Sequence, residues 1–302
     1  MTLPYSRALV TGATGFIGRQ LVRALRESAI DVHTLSIKEE GQEGVTAHQG
    51  DLTDPMSVSR VVKTVRPDVI FHLAAYGTFG HEQDVPRMIA VNIAGTYHLL
   101  SAATMHGCKR FIFTASAKEY ATSRIPITEE APLAPWDDYA VTKVAATFFC
   151  KLAAEKQGFL VSVLRLSPVY GPGDSSSRYV LTAIRAALEG VPFTISVGSL
   201  VRNFTYIDDV VEAMLLASAR AGSQYEEFNV GASKAYSFED ILIVIERTTG
   251  KRISRMVAPY SGKEDDSWVL DSSKANRLLK WEARVSLDEG IRRTFEWYRQ
   301  TL

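Results

Sequence analysis

The sequence predicts an α/β protein in which a doubly wound parallel sheet is joined to a smaller, mainly helical C-terminal lobe. Three observations lead there. Short apolar runs alternate with longer amphipathic ones, the rhythm of strand, helix, strand in a parallel sheet. Several of the apolar runs lack polar alternation, as expected where helices cover both sheet faces. After residue 167 the chain turns rich in Gly, Pro and Ser, in PVYGPGDSSSRY at 168–179, and its segments become shorter.

In chain order the strands read RALVTG at 7–12, DVHTLSI at 31–37, DVIFHLAA at 68–75, RFIFTAS at 110–116 and LVSVLRL at 160–166. Between them lie stretches near 16–28, 55–65, 86–106 and 139–157, each with apolar residues three or four apart, which is the helical period. NFTYIDDVVEAMLLASA at 203–219 followed by EEFNVG at 226–231 again reads as strand, helix and strand. The expected organisation is therefore a dinucleotide-binding domain at 1–167, to which the chain returns at about 202–231, and a substrate-binding lobe at 168–302. A cleft between two such lobes is a usual place for a ligand.

Composition excludes several classes. Lys plus Arg and Asp plus Glu both total 34 in 302 residues, so no bulk positive field gathers nucleic acid or anionic lipid. No apolar run approaches the ~20 residues that cross a bilayer, and MTLPYSR lacks the apolar stretch of a signal peptide, so the expected address is the cytoplasm. Cys108 and Cys150 have no CxxC partner and read as reduced and structural. The six histidines never pair with acids at ligand spacing, so no metal site is expected.

Gly12, Gly15 and Gly18 form G-x-x-G-x-x-G between the first strand and the first helix. In that context the first glycine turns the chain, the second lets backbone N–H groups approach a phosphate, and the third allows close helix–strand packing. The helix N-terminus adds partial positive charge. A Rossmann-type dinucleotide site follows, with Thr14, Gly15, Phe16, Ile17 and Gly18 offering the phosphate-facing backbone.

The end of the second strand bears on which dinucleotide. A carboxylate there binds the adenosine ribose 2′-hydroxyl of NAD and repels the 2′-phosphate of NADP. Eighteen residues after Gly18 stands Ser36, with Lys38 two residues on. A hydroxyl and a cation suit a phosphate, so NADP(H) is favoured over NAD(H), while Glu39 and Glu40 keep NAD open. Asp51, followed by Leu52 in GDLTD, is a candidate for the adenine amino group, with a solvated loop acid as its plainer reading.

Tyr139 and Lys143 stand at i and i+4 on a predicted helix, stacked on one face. A phenol titrates near ~10, and a neighbouring cation favours its phenolate, which suits acid–base work at neutral pH. Alone, Y-x-x-x-K is mostly a solvated helix face. Together with the glycine motif, and with Ser116 ending the strand RFIFTAS, it makes a candidate reaction centre.

These features closely resemble the extended short-chain dehydrogenase/reductase family, in its nucleotide-sugar epimerase, dehydratase and reductase branch. The resemblance spans nearly the whole chain and rests on VTGATGFIG, GDLTD, HLAA at 72–75, VNIAGT at 91–96, TASAKEY at 114–120, YAVTK, VYGPGD at 169–174, RNFTYIDDVVEA at 202–213 and FNVGAS at 228–233. It implies that Ser116, Tyr139 and Lys143 form the catalytic set and that Asn92 supports the active-site helix near the cofactor. It further implies that Leu73, Ala74 and Ala75 pass under the dinucleotide, and that Arg202 grips a substrate diphosphate. Relatives often pair through a four-helix bundle, which here implies a homodimer built from the helices at 86–106 and 139–157.

Departures narrow the expectation. The 4,6-dehydratase branch carries Asp and Glu after its catalytic hydroxyl; Ala117 and Lys118 stand here, which argues against dehydration. Pro168, a candidate cofactor contact, replaces a frequent Asn, and YSGKEDD at 260–266 replaces a late arginine motif. Lys118 and Lys263 are candidate compensating substrate contacts, an exposed lysine being the plainer reading of each. The expected activity is an NADP(H)-dependent 4-ketoreduction of a nucleoside-diphosphate 4-keto-6-deoxyhexose. An NAD-dependent nucleotide-sugar 4-epimerase is the alternative, and a non-catalytic dinucleotide sensor a third reading, disfavoured by the intact catalytic set.

Overall fold

A computed structural model describes residues 2–38, 44–174, 178–196, 201–258 and 267–301. The chain forms two compact units: Met1–Glu119, Leu133–Arg165 and Val211–Phe228 make the first, and Tyr120–Pro132, Leu166–Val210 and Asn229–Leu302 the second. The excursion of Tyr120–Pro132 into the second unit has no signature in local sequence pattern, because it contains neither a long apolar run nor a helical period.

The first unit is built on a seven-stranded sheet. Its strands are β1 (Arg7–Thr11), β2 (Asp31–Ser36), β3 (Thr46–Gln49), β4 (Val69–His72), β5 (Arg110–Ser116), β6 (Leu160–Leu166) and β7 (Tyr225–Val230), in the order β7-β6-β5-β4-β1-β2-β3. β1 pairs in parallel with β2 on one side, Arg7 opposite Asp31, and with β4 on the other, Ala8 opposite Val69. β2–β3 and β4–β5 are parallel too. The strand order therefore reverses at β1, and in such sheets ligands bind beyond the carboxyl ends of the strands at that reversal. β3, one of the two edge strands, is absent from the sequence reading because TAHQ is short and polar, as edge strands commonly are.

Capping chemistry marks the starts of the helices Pro55–Val65 and Asp138–Gln157. α1 spans Phe16–Glu27. α2 (Pro55–Val65) opens on Asp54, whose side chain accepts from the Met56 N–H, with proline in the first turn. The predicted helix at 86–106 is three pieces: α3 (Val85–Met88), a π-helical turn at Ile89–Ala94, and α4 (Gly95–Met105). α5 (Asp138–Gln157) is capped by Asp137, whose side chain accepts from the Ala140 N–H, and ends on Gly158 in the left-handed conformation.

Helix stripes meet the sheet in one apolar cluster. Val58, Val61, Val62 and Val65 of α2, Leu99 and Ala103 of α4, and Ala146, Cys150 and Ala154 of α5 pack with Leu9, Ile70, Phe111, Phe113 and Val163 of the strands. Cys108 and Cys150 are buried free thiols. In the second unit, the helices Tyr179–Glu189, Phe238–Thr249 and Leu287–Thr301 accompany strands of two to four residues. Trp281, 1% exposed, anchors that unit through an indole N–H donated to the Asp209 carbonyl at 2.8 Å. Among the described residues no helix is long and apolar enough to cross a membrane, and no acid, His or Cys cluster could hold a metal.

Candidate active site

The glycine turn is shaped by its neighbours. Gly12 has φ +70°, and a Cβ there would lie 2.6 Å from the Ala74 nitrogen. Only glycine lets β1 pass that close to the end of β4. A Cβ on Gly18 would lie 2.1 Å from the Gly12 carbonyl oxygen, so α1 seats directly on the turn. Gly15 occupies the N-cap of α1, which has no side-chain cap and no acid in its first turn. The first N–H groups of α1, at Phe16, Ile17 and Gly18, are thus open to an anion, the fit a dinucleotide phosphate requires. Thr14 turns its carbonyl to Arg19, 2.9 Å from Nη1.

Leu73, Ala74 and Ala75 continue from β4 alongside this turn, all partly buried. A directed hydrogen-bond chain ties them to the helical layer. The Ala74 N–H donates to the Thr11 hydroxyl at 3.3 Å, and that hydroxyl lies 2.7 Å from His72 Nδ1. His72 Nε2 lies 2.9 Å from the Thr96 hydroxyl, whose proton goes to the Asn92 carbonyl at 2.6 Å. With the Thr96 proton spent, Nε2 is the donor and Nδ1 the acceptor, a neutral imidazole. Burial, with a smaller push from Lys143, takes His72 down to about 3.

Asn92 lies inside the π-helical turn and is 2% exposed. Its side chain accepts from the Tyr76 N–H and donates to the Tyr76 carbonyl, each at 2.8 Å, and donates to the Thr142 hydroxyl at 2.9 Å. Thr142 donates in turn to the Tyr139 carbonyl at 2.7 Å. One amide therefore pins the loop after β4 to the first turns of α5.

Ser116 ends β5, where its hydroxyl accepts from the Lys118 N–H at 3.2 Å. The Lys118 ammonium bonds Asp137, the α5 cap, at 2.8 Å, and stands 5.1 Å over the Trp136 ring and 6.0 Å from the Tyr139 ring centre. Lys143, one turn beyond Tyr139, is 2% exposed with its ammonium 4.0 Å over the Phe113 ring. Burial takes Lys143 down to about 8, against an upward pull from Glu119. A phenol, a hydroxyl and a buried ammonium at the carboxyl end of a parallel sheet can move one proton on and off a substrate oxygen.

Beyond the end of β2 lies an open pocket of about 560 Å³, lined by Ile37, Ala47, His48, Gln49, Gly50, Asp51, Ser57 and Arg60. Asp51 is on its wall, though Oδ1 closes a local turn by accepting from the Thr53 N–H and hydroxyl, both at 2.8 Å. Leu52 is 8% exposed and belongs to the apolar cluster. The Ser36 hydroxyl donates to the Lys38 carbonyl. Glu39, Glu40, the 260–266 segment and Lys263 lie outside the described residues.

The structure places Pro168 and Arg202 in the second unit, each with partners there. The Pro168 carbonyl accepts from the Thr205 N–H at 2.9 Å. Arg202 stacks its guanidinium 4.9 Å from the Trp268 ring centre and 5.3 Å from that of Phe238. Sequence reasoning missed Thr11, His72, Thr96, Thr142, Glu119 and Arg165. The available signal was a polar residue in an otherwise apolar strand, as with His72 at the end of VIFH and Arg165 within LVSVLRL.

Residues 8–231 match the model of the NAD dependent epimerase/dehydratase family. The chain is 28% identical over 313 residues to a UDP-glucuronate 4-epimerase of Thermodesulfobacterium geofontis, covering 97% of this chain and 96% of the relative. A UDP-glucose 4-epimerase from Thermotoga maritima, solved with UDP-glucose, superposes with TM-score 0.91 at 28% identity, covering 98% of this chain and 99% of that one. A UDP-glucose 4-epimerase from Thermus thermophilus, solved with NAD, gives 0.89 at 26% identity, covering 98% and 100%. Two further similar chains were likewise solved with NAD. The expectation of NADP(H) from Ser36 and Lys38 is therefore corrected. These neighbours carry NAD, and the Ser36 hydroxyl is spent on its own loop.

Proposed function

The chain belongs to the NAD dependent epimerase/dehydratase family, an enzyme of the extended short-chain dehydrogenase/reductase type, and from that premise we propose that it is an NAD-dependent 4-epimerase of a UDP-sugar. The carrying observations are the open α1 N-terminus, Ser116 at the end of β5 and Tyr139 with Lys143 one turn apart on α5, in a chain similar along its whole length to 4-epimerases. The similar proteins favour this reading over the 4-ketoreductase. Ala117 and Lys118, in place of an acid pair, speak against elimination.

Bound NAD supplies reversible hydride acceptance at a sugar carbon. Gly12, Gly15, Gly18 and the first turn of α1 would hold its phosphates, with Leu73, Ala74 and Ala75 beside them. Tyr139 takes the proton of the sugar 4-hydroxyl and later returns it, Ser116 hydrogen-bonds the same oxygen, and Lys143 favours the phenolate and reaches the ribose. Lys118 faces the sugar, and Arg202 binds the diphosphate by charge-assisted hydrogen bonds. A homodimer through α4 and α5 in the cytoplasm belongs to the same reading. Tyr97, Val141 and Phe148, each about half exposed on those helices, support it.

The test is incubation of the purified protein with NAD and UDP-glucose or UDP-glucuronic acid. The C4 epimer should accumulate without net NADH. Consumption of reduced cofactor with a 4-keto-6-deoxy nucleotide sugar, and no epimer from either substrate, would overturn the proposal.

A further inference from the structure

Beside α5 runs a row of mostly buried charges that the steps above do not use. Glu119, in the turn after β5, accepts from the Ser116 backbone N–H through Oε1 at 3.3 Å. Its Oε2 accepts from Arg165 Nε at 2.9 Å and from the Thr147 hydroxyl at 3.4 Å. Arg165 Nη1 donates to Glu227 at 2.5 Å, and Glu227 accepts from the Tyr225 hydroxyl. The Glu119 and Arg165 side chains are 0% and 1% exposed and that of Glu227 21%. Lys143, Thr147 and Cys150 follow one another at four and three residues along α5, on one face. The signs alternate from Lys143 through Glu119 and Arg165 to Glu227.

A guanidinium does not give up its proton, so Arg165 favours the ionised form of the carboxyl it touches. A buried pair of this kind gains little stability over an apolar filling, which leaves its position as the feature to explain. That position joins the backbone of Ser116 to Thr147, which stands one turn after Lys143 on the same face of α5. We propose that Glu119 is a positioning residue of the reaction centre, holding the Ser116 backbone with one oxygen while the charge that Arg165 fixes keeps Lys143 cationic. This rests on the reading of Ser116, Tyr139 and Lys143 as that centre.

The titratable groups around Lys143 are Glu119 after β5, Tyr139 and Cys150 on α5, and His72 on β4, with Arg165, Glu227 and Tyr225 behind Glu119. Burial pushes the Cys150 thiol up and holds His72 down, so both are neutral at pH 7. Burial also raises Glu119 against the pulls of Arg165 and then Lys143, and lowers Lys143 against the pull of Glu119. Each buried charge depends on the other, and Arg165 tips the pair toward carboxylate and ammonium.

The experiment measures NAD affinity by calorimetry, and turnover, across pH 6 to 10 in wild type and Glu119→Gln. Losing the carboxylate charge should move the alkaline limb of both profiles down by about one pH unit, and Glu119→Asp should restore it. Glu119→Gln that lowers Tm yet leaves both limbs in place would overturn the proposal. If that variant does not fold, Glu119→Gln with Arg165→Met removes both buried charges together, and a downward shift is expected that is smaller, since the opposing guanidinium charge is lost too, its absence overturning the proposal. Tyr139→Phe and Lys143→Ala run alongside. If both behave as wild type, the reading of the centre fails and this inference with it, whereas loss of function in both with an unmoved Glu119→Gln limb refutes only the role of Glu119.

Discussion

Asn92 donates its side-chain amide to the Thr142 hydroxyl at 2.9 Å while both hydrogen-bonding groups of the Tyr76 backbone close on the same side chain. The start of α5 and the loop after β4 are thereby one mechanical piece. Asn92→Ala would leave a buried donor and acceptor without partners, at about 1–3 kcal/mol for each group left unpaired. The expected outcome is a lower denaturant midpoint with turnover falling more than KM rises, because Tyr139 loses its placement and the substrate keeps its contacts. An Asn92→Ala protein with wild-type midpoint and turnover would contradict this.

The close approach of Gly12 to Ala74 makes a second prediction. Gly12→Ala places a Cβ 2.6 Å from backbone at φ +70°, and the left-handed conformation alone costs an alanine about 1–2 kcal/mol. Backbone cannot yield as a flexible side chain can, so the turn must open. NAD binding by calorimetry should weaken at least tenfold in Gly12→Ala. A matching Gly107→Ala control, also at positive φ but with open space around it, should lose stability without losing NAD.

What the sequence disclosed divides along a physical line. Six of the seven sheet strands, α1, α2 and α5 were legible because each is a local pattern of apolar spacing, and Tyr139 with Lys143 because four residues on a helix fix a shared face. β3 was not, since TAHQ is stabilised by pairing with β2 rather than by its own residues. The Glu119–Arg165 pair joins residues 46 apart, and Thr11–His72 and His72–Thr96 join residues 61 and 24 apart, so no local window holds them. Ser36 shows the complementary error: residue type at the end of β2 was read correctly as a hydroxyl, but its proton goes to Lys38.

His72 predicts an acid-side instability. Its folded value, down to about 3 from 6.5, means the unfolded chain binds a proton that the folded one refuses between those two pH values. Stability therefore rises with pH through this window and is lost on acidification below about 6.5. By pH 4.5 the contribution approaches about 3 kcal/mol, at 1.36 kcal/mol for each unit. Urea midpoints followed from pH 7 to 4.5 should fall more steeply in wild type than in His72→Gln, which cannot gain a proton. Parallel slopes would show that His72 is not the group responsible.

The last prediction concerns the reaction centre. In the proposed mechanism Tyr139 and Ser116 act on the same substrate oxygen, and Tyr139 alone is assigned the proton exchange with it. Tyr139→Phe keeps the ring beside Lys118 and removes the proton, so turnover should fall by ~100 to 10,000-fold, the range of general acid–base catalysis. NAD affinity should stay within about twofold, since Lys143 and the glycine turn are untouched. Ser116→Ala should also lower turnover, yet leave the pH at which it titrates in place, because the hydroxyl orients the oxygen without carrying its charge. Lys143→Ala should weaken NAD and turnover together, since the proposal assigns the same ammonium to ribose and phenol. If Tyr139 and Lys143 merely decorated a helix, their variants would change stability within about 0.5 kcal/mol and nothing else. The burial of Lys143 at 2% exposure over Phe113 already sets it apart from such a surface, and a Tyr139→Phe enzyme turning over at the wild-type rate would refute the proton transfer assigned to it.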